Sequence, residues 1–523
     1  MSTLSAPEST RTLIDELLAE QQKLTAVERF AQRHGGPARS QSRYYQDLIP
    51  LNRPRPGEQY AFRVDLDACT GCKACVSACH SLNGLDEDET WRSVGLLHGG
   101  STMEPYQQTV TTACHHCVDP ACLNGCPVLA YEKDEVTGIV RHLDDQCIGC
   151  QYCVLKCPYD VPKYSSKRGI VRKCDMCHSR LAVGEAPACV QACPSGAISV
   201  GLVSRAETAR ACDASGEQLL PGVFASNYTK PTTVYSSRKS FPANCRPADA
   251  GAPRLETAHW PLVWMLVLTQ AAAGLSLAAS LTISQGQVFE AGKLPLAASG
   301  LTLLLAGLAA SVFHLGRPLG AWRALLGLRR SWMSREILMF GLFAAAAAGF
   351  VVASLLGRGA TAANLAIITA SFALASVCCS AMVYVDTRRP VWRWQQTFPE
   401  FFGTTLLLGV TGAATIFAWV SFFQDAELMG KSVQATAWAA LIVRTVLFLW
   451  ERRRKPIGTL APAGIALFFM STAFGLTAMY AIGLASASLA TLSFLSTFGS
   501  QIIRRYCFFV TAAAPKMPGS FSE

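Results

Sequence analysis

Sixteen of the 21 cysteines in this 523-residue chain are confined to four regularly spaced groups between Cys69 and Cys193. In the first and third groups, CTGCKACVSAC and CIGCQYCVLKCP, the cysteines are separated by two, two and three residues. The four groups are, in order, Cys69, Cys72, Cys75 and Cys79; Cys114, Cys117, Cys122 and Cys126; Cys147, Cys150, Cys153 and Cys157; Cys174, Cys177, Cys189 and Cys193. Thiols at this spacing are typical metal ligands, so the N-terminal half is expected to fold around bound metal.

The third group ends in proline and so has the bacterial ferredoxin spacing, C-x2-C-x2-C-x3-C-P, whereas the first group has His80 in place of the proline. Three thiolates on one tight loop can each reach a different iron of a cubane cluster. The fourth cysteine lies about one helical turn further on and points to a second cluster. Sixteen ligands therefore predict four [4Fe–4S] clusters in an α+β, ferredoxin-like tandem domain.

Other uses of these cysteines fit the sequence less well. A structural zinc site needs two C-x2-C pairs and no third cysteine. The stretch CDMCH, residues 174–178, matches a c-type haem attachment signal, but Cys174 and Cys177 are already needed by the fourth group. Disulfides are not expected, because the cysteine count is odd and the N-terminus carries neither a secretory nor a twin-arginine signal.

Beyond His259 the chain consists largely of apolar runs, and a run of about 20 residues is enough to cross a bilayer. We therefore predict an all-α membrane domain of eight transmembrane helices. The predicted spans are 260–283, 294–315, 337–356, 363–385, 401–423, 433–450, 463–485 and 487–503. An even number of spans places both ends of this domain on the same side of the membrane.

The charges of the loops predict which side that is. The loops on the side of the cysteine domain hold twelve basic residues, whereas the opposite loops hold only Lys293, Arg358 and Lys431. Short basic loops stay in the cytoplasm. We therefore expect a multi-pass protein of the inner (cytoplasmic) membrane with its iron–sulfur domain on the cytoplasmic side.

Composition divides the chain into five segments. We expect an amphipathic helix and an extended arm at 1–58, the four-cluster domain at 59–201, and a Ser-, Thr- and Pro-rich linker at 202–258. The membrane anchor follows at 259–510, and a short tail occupies 511–523.

Two parts of the chain resemble subunits of one known family. Residues 60–201 resemble the four-cluster iron–sulfur subunit of the DMSO reductase family of molybdoenzymes. Residues 259–518 resemble the eight-span anchor subunit of the same family, through HLGRP (314–318), RRSWMSRE (329–336) and RRYCFF (504–509). The resemblance therefore indicates a natural fusion of the two subunits. It also implies a separate molybdopterin-containing catalytic subunit as partner, because the chain has no recognisable molybdenum site.

The resemblance also implies how the cysteines are shared. Groups one and four would hold one pair of clusters, facing the molybdenum subunit, and groups two and three the other, facing the membrane. The implied sets are Cys69, Cys72, Cys75 with Cys193; Cys174, Cys177, Cys189 with Cys79; Cys114, Cys117, Cys122 with Cys157; and Cys147, Cys150, Cys153 with Cys126. Two features depart from the family pattern, namely Gln501 where an acid is usual and the added N-terminal arm, which suggests an extra contact with a partner.

An electron path that ends at a membrane needs haem b or a quinone there. Haem b usually needs two axial imidazoles, and the second half of the chain has only His259 and His314, at helix ends on one face. A quinone needs an apolar slot, a hydrogen-bond donor and a proton-exchanging group, which His314 and Glu336 could supply beside Arg317 and Arg335. We predict a quinone site, for menaquinone or ubiquinone, at these four residues. Taken separately, Arg317 and Arg335 are better explained as helix-end residues at the headgroups.

We interpret the chain as a non-catalytic electron-transfer and anchor subunit of a quinone-linked oxidoreductase in anaerobic respiration. With electrons leaving the quinone pool, the complex would reduce an S- or N-oxide such as DMSO; in reverse, it would oxidise a donor such as sulfite. A redox-driven ion pump is disfavoured because the spans lack Asp and Glu away from their ends. A passive anchor without a quinone site is a further alternative. The expected surroundings are the catalytic subunit, the quinone pool and membrane lipid, with no nucleic acid.

Overall fold

A computed structural model of the chain describes residues 12–23, 28, 48–215, 218–282, 290–424, 461–481 and 483–519. Within these residues a cysteine-rich α+β domain is followed by a bundle of long apolar helices. The sixth predicted span, 433–450, lies outside the described residues, as do the basic residues 452–455 and most of the predicted arm at 1–58.

The described part of the N-terminal amphipathic helix is α1, Leu13–Lys23. Thr12 begins this helix, because its hydroxyl accepts a hydrogen bond from the amide of Asp15 at 3.3 Å while the Asp15 carboxylate accepts one from the amide of Thr12 at 3.0 Å. This reciprocal pair satisfies backbone donors that the first helical turn leaves open. The apolar side chains of α1 are exposed in the described structure.

Two three-stranded sheets and two small hairpins form the framework of the cysteine-rich domain. The strands are β1 (Glu58–Asp65), β2 (Ser93–Gly100), β3 (Pro105–Thr112), β4 (Tyr131–Lys133), β5 (Val140–His142), β6 (Lys163–Ser165), β7 (Ile170–Arg172), β8 (Ile198–Ser204), β9 (Val234–Ser236) and β10 (Arg246–Pro247). In the first sheet β1 lies between antiparallel β8 and parallel β9, and in the second β2 lies between β3 and β10. The hairpins β4–β5 and β6–β7 complete the framework.

Short helices connect these strands, and most of them carry cysteines. They are α2 (Ala74–Asn83), α3 (Ala121–Gly125), α4 (Tyr152–Lys156), α5 (His178–Ala182), α6 (Ala188–Gln191) and α7 (Arg205–Ser215). Helices α3 to α6 have only four or five residues, too few to be stable by themselves. Their conformation therefore depends on the packing of the groups that they carry.

The segment 202–258, expected to be a linker, differs from that expectation. It contains α7, β9 and β10, and its strands complete both sheets of the preceding domain. Strands of two or three residues have too little sequence to show a period of two, and they form here because β1 and β2 offer unpaired edges. The cysteine-rich domain thus continues well past residue 201.

Seven long helices are described in the second half of the chain. They are α8 (Trp260–Thr282), α9 (Glu290–Val312), α10 (Trp332–Leu355), α11 (Gly359–Val385), α12 (Trp394–Gln424), α13 (Ala461–Tyr480) and α14 (Leu484–Val510). Within the described residues, five of them, α8 to α12, are long and apolar enough to cross a membrane. Each of the seven overlaps a different predicted span.

The last helix is longer than its predicted span, 487–503. It continues to Val510 because Arg505 is only 2 % exposed, with its guanidinium 4.1 Å from the ring centre of Phe401 and hydrogen-bonded to Gln270 at 2.9 Å. The predicted span stopped just before the two arginines at 504–505. Protein contacts instead surround one of them.

Helices α8 and α12 cross where two glycines meet. A Cβ atom on Gly274 would lie 2.2 Å from the carbonyl oxygen of Thr405 and 2.6 Å from the Cα of Gly409. Small residues of this kind allow two helix backbones to approach closely inside a membrane protein.

The C-terminal tail returns from α14 to the cysteine-rich domain. The amide of Ala514 donates to the carbonyl of Arg254 at 2.8 Å, and Lys516 forms an ion pair of 2.5 Å with the buried Asp249. Further on, Met517 is buried in the core of the cysteine-rich domain, and the carbonyl of Gly519 accepts a hydrogen bond from Leu96 in β2. The tail therefore fastens the end of the helical bundle to the domain that precedes it.

Candidate metal centres

Three cavities in the cysteine-rich domain are each lined by four of the predicted ligands. Their volumes are about 280 Å³, 370 Å³ and 270 Å³. Their thiols are, in that order, Cys69, Cys72, Cys75 and Cys193; Cys114, Cys117, Cys122 and Cys157; and Cys126, Cys147, Cys150 and Cys153. In each cavity three cysteines come from one group and the fourth from another group, as in three of the four sets that the family resemblance implies.

The remaining four predicted ligands are also close together. Cys79, in α2, lies close enough to Cys177 and Cys189 to interact with them electrostatically, and Cys174 interacts in the same way with Cys79 and Cys189. Helix α2 thus carries Cys75 at one cavity and Cys79 in this fourth set. One turn of helix therefore joins the two sets.

Left-handed residues shape the loops that present these thiols. Gly71 and Lys73 in the first group have φ of 74° and 61°, and Gly149 and Gln151 in the third group have φ of 70° and 57°. This conformation curls the backbone so that amide hydrogens point at sulfur. The amide of Gly149 donates to Cys147 Sγ at 3.4 Å, and amide donors of this kind stabilise a thiolate ligand.

The surroundings of the predicted ligand thiols indicate whether they suit an iron–sulfur cluster. Burial and the neighbouring thiols of Cys189 and Cys177 raise the pKa of Cys79 to about 12. Burial likewise raises the pKa of Cys126 and of Cys157 to about 11. Thiols in such surroundings keep their protons unless a metal replaces them, because ligation requires the thiolate. Four thiols that line one cavity fit a cluster bound between them.

The loop of the third group lies directly on the helical bundle. The amide of Arg317 donates to the carbonyl of Ile148 at 3.0 Å, and His314 Nε2 lies 3.2 Å from the carbonyl oxygen of Cys150. The contact is close because both sides are glycine: a Cβ on Gly149 would lie 3.0 Å from the Cα of Gly316. The set of Cys126, Cys147, Cys150 and Cys153 is therefore adjacent to the helices that are long enough to cross a membrane.

Helix α4, which carries Cys153, continues this interface. The hydroxyl of Tyr152 donates to the carbonyl of Val383 at 2.9 Å, and Lys156 forms an ion pair of 2.6 Å with Asp386 just after α11. Tyr152 is completely buried, and the side chain of Lys156 is only 4 % exposed. These contacts join residues more than 200 positions apart, and no spacing in the sequence indicated them.

The second group makes a parallel contact. The hydroxyl of Ser331 donates to the carbonyl of Gly125 at 2.7 Å, and the amide of Gly327 donates to the carbonyl of Pro127 at 2.8 Å. Cys126 lies between these two acceptors. Two cysteine-bearing loops are therefore held by the segment between α9 and α10.

Three residues of the predicted quinone site, His314, Arg317 and Glu336, lie at this interface, whereas the fourth, Arg335, bonds to the segment that precedes α10. His314 follows α9, and Glu336 is buried in the first turns of α10, close to Ser380 and Tyr384 of α11. Glu336 and Asp386 both act electrostatically on Tyr152. His314 and Glu336 therefore approach the same cysteine loop, although none of the described contacts joins them directly.

The two predicted arginines use part of their hydrogen-bonding capacity on backbone carbonyls. Arg317 Nη1 donates to Asp144 at 2.8 Å, which ties it to the cysteine-rich domain. Arg335 donates from Nε to Leu328 at 3.1 Å and from Nη2 to Arg329 at 3.0 Å, and it lies over the ring of Trp332. Both arginines thus have a structural role, Arg317 in the segment after α9 and Arg335 in the first turn of α10.

His259, which the sequence suggested only as a possible haem ligand, contacts His314 of the predicted quinone site. Its ring centre lies 4.8 Å from that of His314, with an angle of 70° between the two planes. This edge-to-face contact leaves no space for a porphyrin between the rings, so joint axial ligation would require them to separate. The position of both histidines at one membrane face was the signal that placed them near each other.

Two stretches of the chain match known protein families. Residues 106–203 match the 4Fe-4S dicluster domain, and residues 256–447 match the DMSO reductase anchor subunit, DmsC. The dicluster match spans most of the predicted ligands, which makes the first half of the chain an iron–sulfur domain. The iron–sulfur domain and the anchor subunit thus occur here in a single polypeptide.

Individual relatives agree with these matches. The B subunit of the anaerobic dimethyl sulfoxide reductase of Haemophilus influenzae is 35% identical over 191 residues, which cover 35% of this chain and 91% of that protein. The B subunit of the same name in Escherichia coli K12 is 36% identical over 197 residues, 36% of this chain and 92% of that protein. The formate dehydrogenase-O iron-sulfur subunit of E. coli K12 is 35% identical over 161 residues, 28% of this chain and 53% of that protein.

Proposed function

The chain belongs to the DMSO reductase family, in which it joins the iron–sulfur subunit to the membrane anchor, and on this premise we propose that it conducts electrons between the quinone pool and a separate molybdopterin-containing catalytic subunit. The observation that carries the proposal is the contact of His314 with the carbonyl of Cys150. His314, a residue suited to quinone chemistry, thus contacts the backbone of Cys150, a predicted cluster ligand. The names of the relatives favour S-oxide reduction as the reaction of the partner, and no observation favours sulfite oxidation.

Four [4Fe–4S] clusters would form the electron path. The cavity of Cys126, Cys147, Cys150 and Cys153 supports a cluster next to the membrane helices. The cavity of Cys114, Cys117, Cys122 and Cys157 would continue the path away from them. The set that includes the exposed Cys72 would then lie at the outer surface, where a catalytic subunit can bind.

The hydrogen bond of His314 assigns its proton. A carbonyl oxygen can only accept a hydrogen bond, so Nε2 of His314 carries the hydrogen and Nδ1 keeps the lone pair. Nδ1 could then accept a proton from a quinol hydroxyl, and a cluster held by Cys126, Cys147, Cys150 and Cys153 would supply the electron acceptor. Glu336 provides a second proton-exchanging group, and Arg317 and Arg335 add positive charge and donors at the edge of the site.

The arrangement in the membrane is part of the same proposal. Eight spans would complete the anchor, with the sixth at 433–450, and the excess of basic residues on the side of the iron–sulfur domain supports a cytoplasmic location for that domain and for the catalytic subunit.

Replacement of His314 by alanine tests the quinone site. In membranes that contain the complete complex, we expect quinol-driven reduction of the clusters to slow by about 100-fold, at the lower end of what a positioned general base contributes. Chemical reduction by dithionite should be unchanged, because it needs no quinone. His98→Ala, in strand β2 and outside the four cysteine groups, is the matched control. An unchanged quinol-driven rate in His314→Ala would show that this histidine does not handle the quinone.

A further inference from the structure

Arg92 is a buried cation in the cysteine-rich domain. It immediately precedes β2, is 2 % exposed, and lies with its guanidinium 4.6 Å from the ring centre of Phe62. Its Nη1 donates to the hydroxyl of Thr111 at 3.2 Å, whereas its Nε and Nη2 have no hydrogen-bond partner among the described residues. Arginine does not lose its proton in a protein, so burial of two unpaired donors is costly unless they find an acceptor.

The groups that surround Arg92 are predicted cluster ligands. It interacts electrostatically with Cys75, which lines the cavity of the first set, and with Cys79, Cys174 and Cys189 of the fourth set. A single permanent positive charge thus lies between two of the four predicted centres. The sulfur atoms of two clusters are the acceptors that would satisfy its unpaired donors.

Thr111 connects Arg92 to a ligand directly. Its hydroxyl oxygen lies 3.5 Å from Cys75 Sγ and 3.2 Å from Arg92 Nη1. A guanidinium can only donate, so the hydroxyl accepts from Arg92 and its own hydrogen remains for the sulfur. The positive charge is therefore transmitted to Cys75 through an oriented hydrogen bond.

We propose that Arg92, acting in part through Thr111, is a positioning residue that raises the reduction potentials of the two clusters held by the first and fourth cysteine groups. The inference rests on the proposed electron-transfer function. Each reduction adds one electron, hence one negative charge, to a cluster, and no covalent bond to the protein changes. A fixed cation and a hydrogen bond to a ligand sulfur stabilise the reduced form more than the oxidised form.

The effect differs between the two clusters. The first set is linked to Arg92 through Thr111 and Cys75. Lys173 is a second buried cation, with its ammonium 3.6 Å from Cys114 Sγ of the second group and 2.8 Å from the carbonyl of Cys174 in the fourth. Loss of Arg92 should lower the potential of the first set more, because there it also removes the contact that orients the Thr111 hydroxyl toward Cys75. In this way Arg92 would draw electrons away from the membrane-side clusters, toward the outer surface.

Redox titration of the complete complex, followed by EPR, tests this proposal. In Arg92→Gln we expect two of the four cluster transitions to move to lower potential. At a fixed ambient potential, the ratio of reduced to oxidised cluster should fall about tenfold for the more affected one, which equals about 59 mV for a one-electron couple. Arg92→Lys should restore most of the shift. Arg63→Gln, an exposed neighbour in β1 that donates to the carbonyl of Leu202, is the matched control and should titrate as wild type.

Thr111→Val keeps the charge but removes the hydroxyl, and it should lower one transition by a smaller amount. This variant decides the question if Arg92→Gln assembles too few clusters to titrate. Unchanged potentials in Thr111→Val and in a fully assembled Arg92→Gln, or an equal shift of all four transitions, would overturn the proposal. The number of clusters and their reduction by quinol in the wild-type complex are separate measurements, so a failure of the proposed function would be recognised independently.

Discussion

Replacement of Cys150 by serine is expected to remove one cluster and to stop electron flow from the quinone pool. Cys150 lines the cavity closest to the helical bundle, and its carbonyl contacts His314. Every electron that enters from the membrane would have to pass this position. The loss should exceed the roughly 10–100-fold that a lost supporting contact costs at a metal site, because here a ligand itself is removed.

Spin quantification by EPR and the rate of quinol-driven cluster reduction measure the two effects. We expect three clusters in place of four, and the remaining three should still be reduced by dithionite. Cys245→Ser is the matched control, since Cys245 is buried in the same domain at 8 % exposure but belongs to none of the four groups. A Cys150→Ser complex with a full complement of clusters would contradict the ligand assignment; one with three clusters and an unchanged quinol rate would contradict the proposed route.

Patterns within short stretches of the sequence predicted the parts of the fold that depend on residues close together along the chain. The two- and three-residue spacings of the first and third groups define tight loops, and the structure forms such loops with left-handed residues at Lys73 and Gln151. The apolar runs after His259 predicted helices because a membrane-spanning helix is apolar on all sides, which needs no information about its partners. Seven of the runs are helices in the described residues.

The interface between the two halves depends on packing, and the sequence contains no local signal for it. In the sequence Tyr152 is simply one residue of a cysteine loop, whereas in the structure its hydroxyl donates a hydrogen bond to the carbonyl of Val383. Arg389 stands in a basic loop, yet it is 2 % exposed, paired with Glu256 at 2.5 Å and hydrogen-bonded to the carbonyl of Leu155. A count of basic residues treats such a side chain as exposed to solvent.

The interface also gives the fusion of the two subunits a physical meaning. Loops from the second and third cysteine groups are held by hydrogen bonds to the segment that connects α9 and α10, and the C-terminal tail returns to β2. Two separate subunits would have to maintain these contacts by affinity alone. Within one chain, the effective concentration of one surface near the other is fixed by the connection. The contact between His314 and the Cys150 loop is thereby favoured.

Removal of Asp386 should weaken this interface strongly while leaving all cysteines in place. In Asp386→Ala the buried ammonium of Lys156 keeps its hydrogen bond to the backbone carbonyl of residue 386 but loses its carboxylate partner, and breaking a buried ion pair from one side typically costs about 3–5 kcal/mol. The side chain of Asp386 is 29 % exposed, so we expect the lower end, about 3 kcal/mol. If the cost falls on local opening of the interface, the Arg317 amide, which bonds to Ile148, should exchange with solvent roughly 100-fold faster.

Hydrogen exchange of the assembled complex, read at peptides that contain Arg317 and the third cysteine group, measures this opening. Lys167→Ala is the matched control: its ammonium lies 4.0 Å from Asp86 and its side chain is 83 % exposed, so less than about 1 kcal/mol should be lost. The double variant Lys156→Met, Asp386→Leu separates charge from packing, because apolar replacement of both partners leaves no unpaired buried charge and should recover most of the protection. If the double variant exchanges as fast as Asp386→Ala, the interface depends on the attraction between the two charges; recovery would show that the cost came from leaving Lys156 unpaired.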